Sequence, residues 1–97
     1  MTAPVATLER LVEALADQRQ VMRVWLFGSR ARGDHADRSD IDLAIEAPGA
    51  SRRGWLDLCH LIEEADTLLP IDVVRFEDAP EALRAHILAE GKLLYER

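Results

Sequence analysis

The sequence predicts an α/β (α+β) domain, one small mixed sheet of roughly three to four strands packed with about four helices. Three observations predict it. Stretches with a helical apolar period alternate along the 97 residues with shorter runs of period two or of continuous β-branched and aromatic residues. Only about eleven residues separate the first two strand-like runs, too few for an easy helical crossover, which favours an antiparallel pair. A chain of 97 residues with 48% hydrophobic content supplies one core and no room for a second, so residues 1–97 read as one domain.

Leu8, Leu11, Val12 and Leu15 fall at i, i+3, i+4 and i+7, with Glu9, Arg10, Glu13 and Asp17 on the other side. This predicts an amphipathic helix from about Ala6 to Gln18. Val21 to Phe27 concentrates Val, Trp and Phe around one charge, Arg23, and stops at Gly28, as a buried strand does. Ser29 to Ala31 suits a short helical turn, Gly33 suits its left-handed end, and Asp34 to Ser39 reads as polar loop. From Ser39 to Glu46 the alternation is regular, with Ile41, Leu43 and Ile45 pointing one way and Asp40, Asp42 and Ala44 the other. Pro48 and Gly49 close that strand. Trp55, Leu58, Cys59, Ile62 and Ala65 share one stripe of a helix of roughly fifteen residues that ends before Pro70. Ile71 to Phe76 is a third strand. Asp78, Ala79 and Pro80 form a capping region for a further helix, whose apolar face is Leu83, Ile87 and Leu88 and which ends at Gly91. Lys92 to Tyr95 reads as a final edge strand. Trp25, Phe27, Trp55 and Cys59 follow these patterns and are assigned to the core.

Charge narrows the function. Twelve Lys+Arg stand against 18 Asp+Glu, a net charge of −6, which disfavours nucleic acid as the main partner because no broad basic face is available to displace counterions. Cys59 is the single cysteine, so an internal disulfide and a multi-cysteine zinc site are excluded. Met1 to Gln20 interrupts its apolar residues with charges and reads as neither a signal segment nor a membrane span; with the lone thiol, this predicts a cytoplasmic protein. Open strand edges in so small a domain predict homo- or hetero-assembly.

The most informative residues are Asp40-Ile41-Asp42, on a strand otherwise built from aliphatics. Side chains at i and i+2 share a strand face, so two carboxylates converge beside an apolar layer and their repulsion calls for an external cation. Mg²⁺ suits them, since it takes carboxylate oxygens and completes its octahedron with water and substrate phosphate. An isolated Asp-x-Asp is more often the wet side of an edge strand, so its surroundings matter. Gly28-Ser29 sits where a buried strand gives way to a helical turn, which offers backbone N–H groups and a hydroxyl to a phosphate. Asp72 stands between Ile71 and Val73, where an unpaired carboxylate is costly to bury. It joins the acidic pair if the second and third strands are neighbours in register; otherwise it is a strand-entry aspartate facing water. Arg30 and Arg32, with Arg38, either neutralise a phosphate ligand or form a solvated loop. His35, His60 and His86 have no metal-binding spacing and read as surface or structural residues.

Taken together, Gly28-Ser29, ten intervening residues and Asp40-Ile41-Asp42, within Gly28-Ser29-Arg30-Ala31-Arg32-Gly33 to Ser39-Asp40-Ile41-Asp42-Leu43-Ala44-Ile45, closely resemble the signature of the minimal nucleotidyltransferases. These are the MNT branch of the DNA polymerase β-like superfamily, and the resemblance covers nearly the whole chain. It implies ATP as substrate and a pair of Mg²⁺ ions, with Asp40 and Asp42 holding the metal of the triphosphate and Asp72 completing the second metal site. Ser29 and the amide around Gly28 would grip the terminal phosphates, with Arg30 and Arg32 beside them. Two cations flanking an in-line displacement stabilise both the attacking and the leaving oxygen, so a hydroxyl attacks the α-phosphate and expels pyrophosphate. Whether Asp72 also takes the hydroxyl proton stays open. Small proteins of this branch are commonly paired with a helical HEPN protein, usually a ribonuclease toxin, and act as its antitoxin. The resemblance therefore implies adenylyl transfer from ATP to a tyrosine of a HEPN-type partner. Recognition by a shallow surface suits such a macromolecular acceptor. Two other readings compete: an antitoxin that neutralises its partner by binding alone, and nucleotide addition to RNA, which the net charge disfavours.

Overall fold

The computed structural model describes residues 3–28, 31, 40–65 and 70–97, the first five of these by backbone only. In chain order these form helix α1 (Ala3–Ala16), strands β1 (Arg23–Phe27) and β2 (Ile41–Glu46), helix α2 (Arg52–Glu63), strand β3 (Ile71–Arg75), a 3₁₀ turn (Phe76–Asp78), helix α3 (Glu81–Glu90) and strand β4 (Lys92–Glu96). The strands assemble in the order β3-β2-β1-β4. β1 runs antiparallel to both β2 and β4, while β2 and β3 are parallel, so the expected mixed sheet and the expected antiparallel first pair are both present. Among the described residues there are three α-helices, against about four expected. The expected turn at Ser29 to Ala31, its end at Gly33 and the loop Asp34 to Ser39 lie outside the described residues, Ala31 and Asp40 being the flanking ones that are described.

Period-two patterning makes the sheet two-sided. On one face Val24, Leu26, Ile41, Leu43 and Ile45 pack under Leu11 and Leu15 of α1 and Leu58 and Ile62 of α2. The other face carries a smaller cluster, in which Trp25, Ala44 and Ile87 are buried and Phe27, Val74, Phe76 and Leu83 pack around them. Trp25 and Phe76 stack with ring centroids 4.8 Å apart. Ala44, which shares its face with Asp40 and Asp42, is fully buried beneath α3.

Element ends differ from the expectations in ways local hydrogen bonds explain. α1 stops at Ala16, because the Gln18 amide donates to Leu15 and the Val21 amide to Gln18, closing tight turns. Val21 is buried but spent in that turn, so β1 begins at Arg23. β2 begins at Ile41 rather than Ser39, and the Ile41 amide donates to the carbonyl of Pro70. α2 has twelve residues, fewer than expected; the Ser51 hydroxyl caps its start by accepting from the Gly54 amide at 3.0 Å. Asp78 lies in the 3₁₀ turn rather than capping α3, and Pro80 occupies the N-cap with no side-chain cap bond. Leu88 was expected on the apolar face of α3 but is 59% exposed. The surface beneath α3 is narrow, and Leu83 and Ile87, four residues apart, fill it; Leu88 is turned about 100° away from Ile87.

Two arginines tie the layers together. The Arg75 guanidinium donates to the carbonyls of Ala47 and Ala50 at 2.7 and 2.8 Å and lies over Trp55, which pins the β2–α2 corner to β3. Arg97 donates to the carbonyls of Ala16, Gln18 and Val21, holding the end of α1 against the β4 side of the sheet.

Candidate active site

Three backbone facts bring the acidic residues together. β2 and β3 are parallel neighbours, and their register sets Asp42 directly beside Asp72. Phe27 lies opposite Asp42 on the other flank, so Phe27, Asp42 and Asp72 form one row across the sheet on the α3 face. Asp40 precedes Asp42 by two positions, immediately before β2, and is exposed, as is Asp72. Asp42 is half-buried, because Ala44 and the cluster around Trp25 and Ile87 cover the next row of the same face. The acidic pair therefore sits at the open end of a small apolar floor.

Electrostatics mark Asp42 as the strained member. Burial pushes its carboxyl above the ordinary range, and the nearby charges of Asp72 and then Asp40 push it the same way. Ion pairs among the described residues join Arg23 to Glu46 and Arg75 to Glu77, and His86 Nδ1 lies 3.6 Å from Glu90; none of these is at this row. No group of three or more His, Cys, Asp or Glu side chains among the described residues closes into a cage for an ion. Among the described residues the row is an open patch of carboxylate oxygens with no cation paired to it. That donor set fits Mg²⁺ brought in with a substrate, since this ion is commonly held by one or two carboxylates and completes its shell with phosphates and water.

Gly28 completes the geometry. Its φ is +78°, a left-handed value that side-chain-bearing residues rarely adopt, and a Cβ at this position would overlap Oδ2 of Asp42. The Ala31 amide donates to the Gly28 carbonyl at 3.1 Å, which folds the backbone back after β1. Glycine was expected here to let a phosphate approach; the structure adds that glycine makes room for the Asp42 carboxylate. Of the residues singled out in the sequence, Gly28, Asp40, Asp42 and Asp72 gather at this end of the sheet. Ser29, Arg30 and Arg32 lie outside the described residues, as do His35 and Arg38. Phe27 was assigned to the core, yet it is half-buried in the same row as the acids. Its parity with Trp25 and its place next to Gly28 were the available signals.

Over 66 residues the chain is 32% identical to a Methanocaldococcus jannaschii protein named "Putative protein adenylyltransferase", an alignment spanning 68% of this chain and 66% of that protein, just under two thirds of its length. A crystal structure of a toxin-antitoxin with AMP-PNP superposes with a TM-score of 0.73 at 25% identity, covering 92% of this chain and 73% of that one. A complex of tri-AMPylated Shewanella oneidensis HEPN toxin with MNT antitoxin superposes at 0.66 over 95% of this chain and 71% of that one, and at 22% identity this is a likeness of fold. The model of the family described as Polymerase beta, Nucleotidyltransferase matches residues 9–97, which takes in all four strands and the whole acidic row, and the chain therefore belongs to that family.

Proposed function

We propose that this protein transfers an adenylyl group from ATP to a protein hydroxyl, and that the acceptor is a tyrosine of a HEPN-type helical toxin for which it serves as antitoxin. The observation that carries this reading is the register pairing of Asp42 with Asp72, which joins acids from two strands into one patch where each raises the cost of the other's charge. Asp40 and Asp42 would hold the Mg²⁺ ion of the triphosphate, and Asp72 would complete the site of a second. When bound, these ions offset the charge on the phosphates and on the attacking and leaving oxygens. Ser29 and the amide around Gly28 grip the terminal phosphates, with Arg30 and Arg32 offsetting their charge. The acceptor oxygen bonds to the α-phosphorus as the bond from that phosphorus to the oxygen bridging the β-phosphorus breaks. Pyrophosphate leaves with the electron pair, and the hydroxyl proton passes to Asp72 or to solvent. The relative named as a protein adenylyltransferase and the neighbour solved with AMP-PNP support the nucleotide and the class of acceptor.

The test is transfer of label from α-labelled ATP, with Mg²⁺, to the helical partner. Asp42→Asn should reduce labelling by about a hundredfold or more, the scale expected when a group that positions the reacting atoms is lost. Undiminished labelling by Asp42→Asn would refute the metal assignment. Asp40→Asn and Asp42→Asn proteins that neither label the partner nor lose protection against it would instead establish neutralisation by binding.

A further inference from the structure

We propose that the acceptor presents its tyrosine on an extended segment that pairs with the outer edge of β3 as a fifth strand. This rests on the hydroxyl-acceptor reading above and adds how the acceptor is held. Among the described residues β3 and β4 are the outer strands, and they are built differently. β4 carries a bulge, since its register passes from Val24–Tyr95 to Trp25–Leu93 and leaves Leu94 over, and it places Lys92 and Glu96 at its ends. The bulge discourages edge pairing. β3 pairs without interruption from Ile71 to Arg75, contains no proline and has three β-branched residues in five; of its two charged residues Arg75 is tied to the Ala47 and Ala50 carbonyls and Asp72 belongs to the acidic row. It is the regular edge, suited to strand addition.

The same edge borders the site. Phe27, Asp42 and Asp72 form a row that ends on β3, so a strand added outside β3 supplies the next place in that row, about 4.8 Å beyond Asp72. A side chain at that place on the α3 face stands beside the carboxylate of Asp72. Tyrosine is longer than aspartate, so its hydroxyl clears the carboxylate oxygens and reaches the space above them. A serine or threonine hydroxyl held by the same backbone stays close to the sheet, below those oxygens. Strand pairing at this edge therefore selects tyrosine. The charges of Asp40, Asp42 and Asp72 further favour Lys or Arg, and oppose Asp or Glu, near the tyrosine.

The probe is the synthetic peptide Lys-Val-Thr-Tyr-Thr-Val-Lys at millimolar concentration, read by amide hydrogen exchange on the intact protein without nucleotide. Alternate amides of β3 should slow about tenfold once the peptide exceeds its dissociation constant tenfold, while those of β4 should not change. N-methylation of the peptide at one set of alternate residues should abolish the effect, and at the other set leave it. Absence of protection at β3, equal protection at β4, or indifference to both methylation patterns would overturn the proposal. A parallel assay with α-labelled ATP and Mg²⁺ separates the two readings. Protection of β3 with no label on either peptide or toxin preserves strand addition and defeats adenylyl transfer; label on the toxin without protection of β3 does the reverse.

Discussion

Gly28→Ala tests the site at its tightest point, and its cost follows from two separable causes. Holding an L-residue at φ +78° costs about 1–2 kcal/mol relative to glycine. The new Cβ would also overlap Oδ2 of Asp42 and approach its Cγ to 3.3 Å, so the carboxylate must leave its rotamer at about 0.5–1.5 kcal/mol. The sum is a loss of about 1.5–3.5 kcal/mol, with at least about 6 °C off the melting temperature for a domain of this size. Asp42→Ala alone should be neutral or stabilising, because it removes a half-buried carboxylate raised by burial and by like charges. In the double variant Oδ2 and Cγ are gone and the Cβ of residue 42 stays at an ordinary 3.6 Å, so the clash with the carboxylate is removed and the backbone cost remains. Urea unfolding of the four proteins at neutral pH should thus reveal a coupling of about 0.5–1.5 kcal/mol. Additivity within about 0.3 kcal/mol would mean that Gly28 and Asp42 do not touch, and the geometry of the site would be wrong.

The remaining expectations concern pH and the layer under α3. Because the folded-state pKa of Asp42 is raised, the native state binds more protons than the unfolded chain between the ordinary carboxylate value of about 4 and the raised one. The stability linked to this group is therefore fully present below the ordinary value and lost as pH rises through the raised one. The stability difference between wild type and Asp42→Asn, followed by melting temperature without metal across this window, should shift against the wild type with rising pH; a flat difference would refute the raised pKa. Ile87→Ala should cost about 2–4 kcal/mol in chemical unfolding because Ile87 is fully buried against Trp25 and Ala44. Leu88→Ala should stay within about 0.5 kcal/mol, and equal losses at both positions would contradict the orientation of α3.

Local chemistry explains what could be read from the chain alone. Strand and helix identities followed from apolar period, which is a property of neighbouring residues; the β2 alternation and the stripe holding Leu58 and Ile62 are examples. The antiparallel pairing of β1 with β2 followed from the short connection between them. The chemical character of the site was also local, since Asp40 and Asp42 share a strand face whatever surrounds them. Boundaries were less accessible, because Gln18, Pro70 and Ser51 set them through hydrogen bonds to residues in the next turn or element. Leu88 shows another limit: how wide a face a helix buries depends on the surface beneath it, and here two side chains cover that surface.

Tertiary structure alone decided three matters. It set Asp72 beside Asp42, since strand order and register depend on packing between elements distant in sequence. It buried Ala44 under α3 and so half-buried Asp42, which raises the cost of its charge. It also brought Gly28 against the Asp42 carboxylate, a fit that spans fourteen positions of sequence and depends on the pairing of β1 with β2. The sequence by itself determined which side chains carry charge and which strand face each occupies. Only the assembled sheet decided which charges share a site, because spacing within a strand is covalent while spacing between strands is set by what packs on either face.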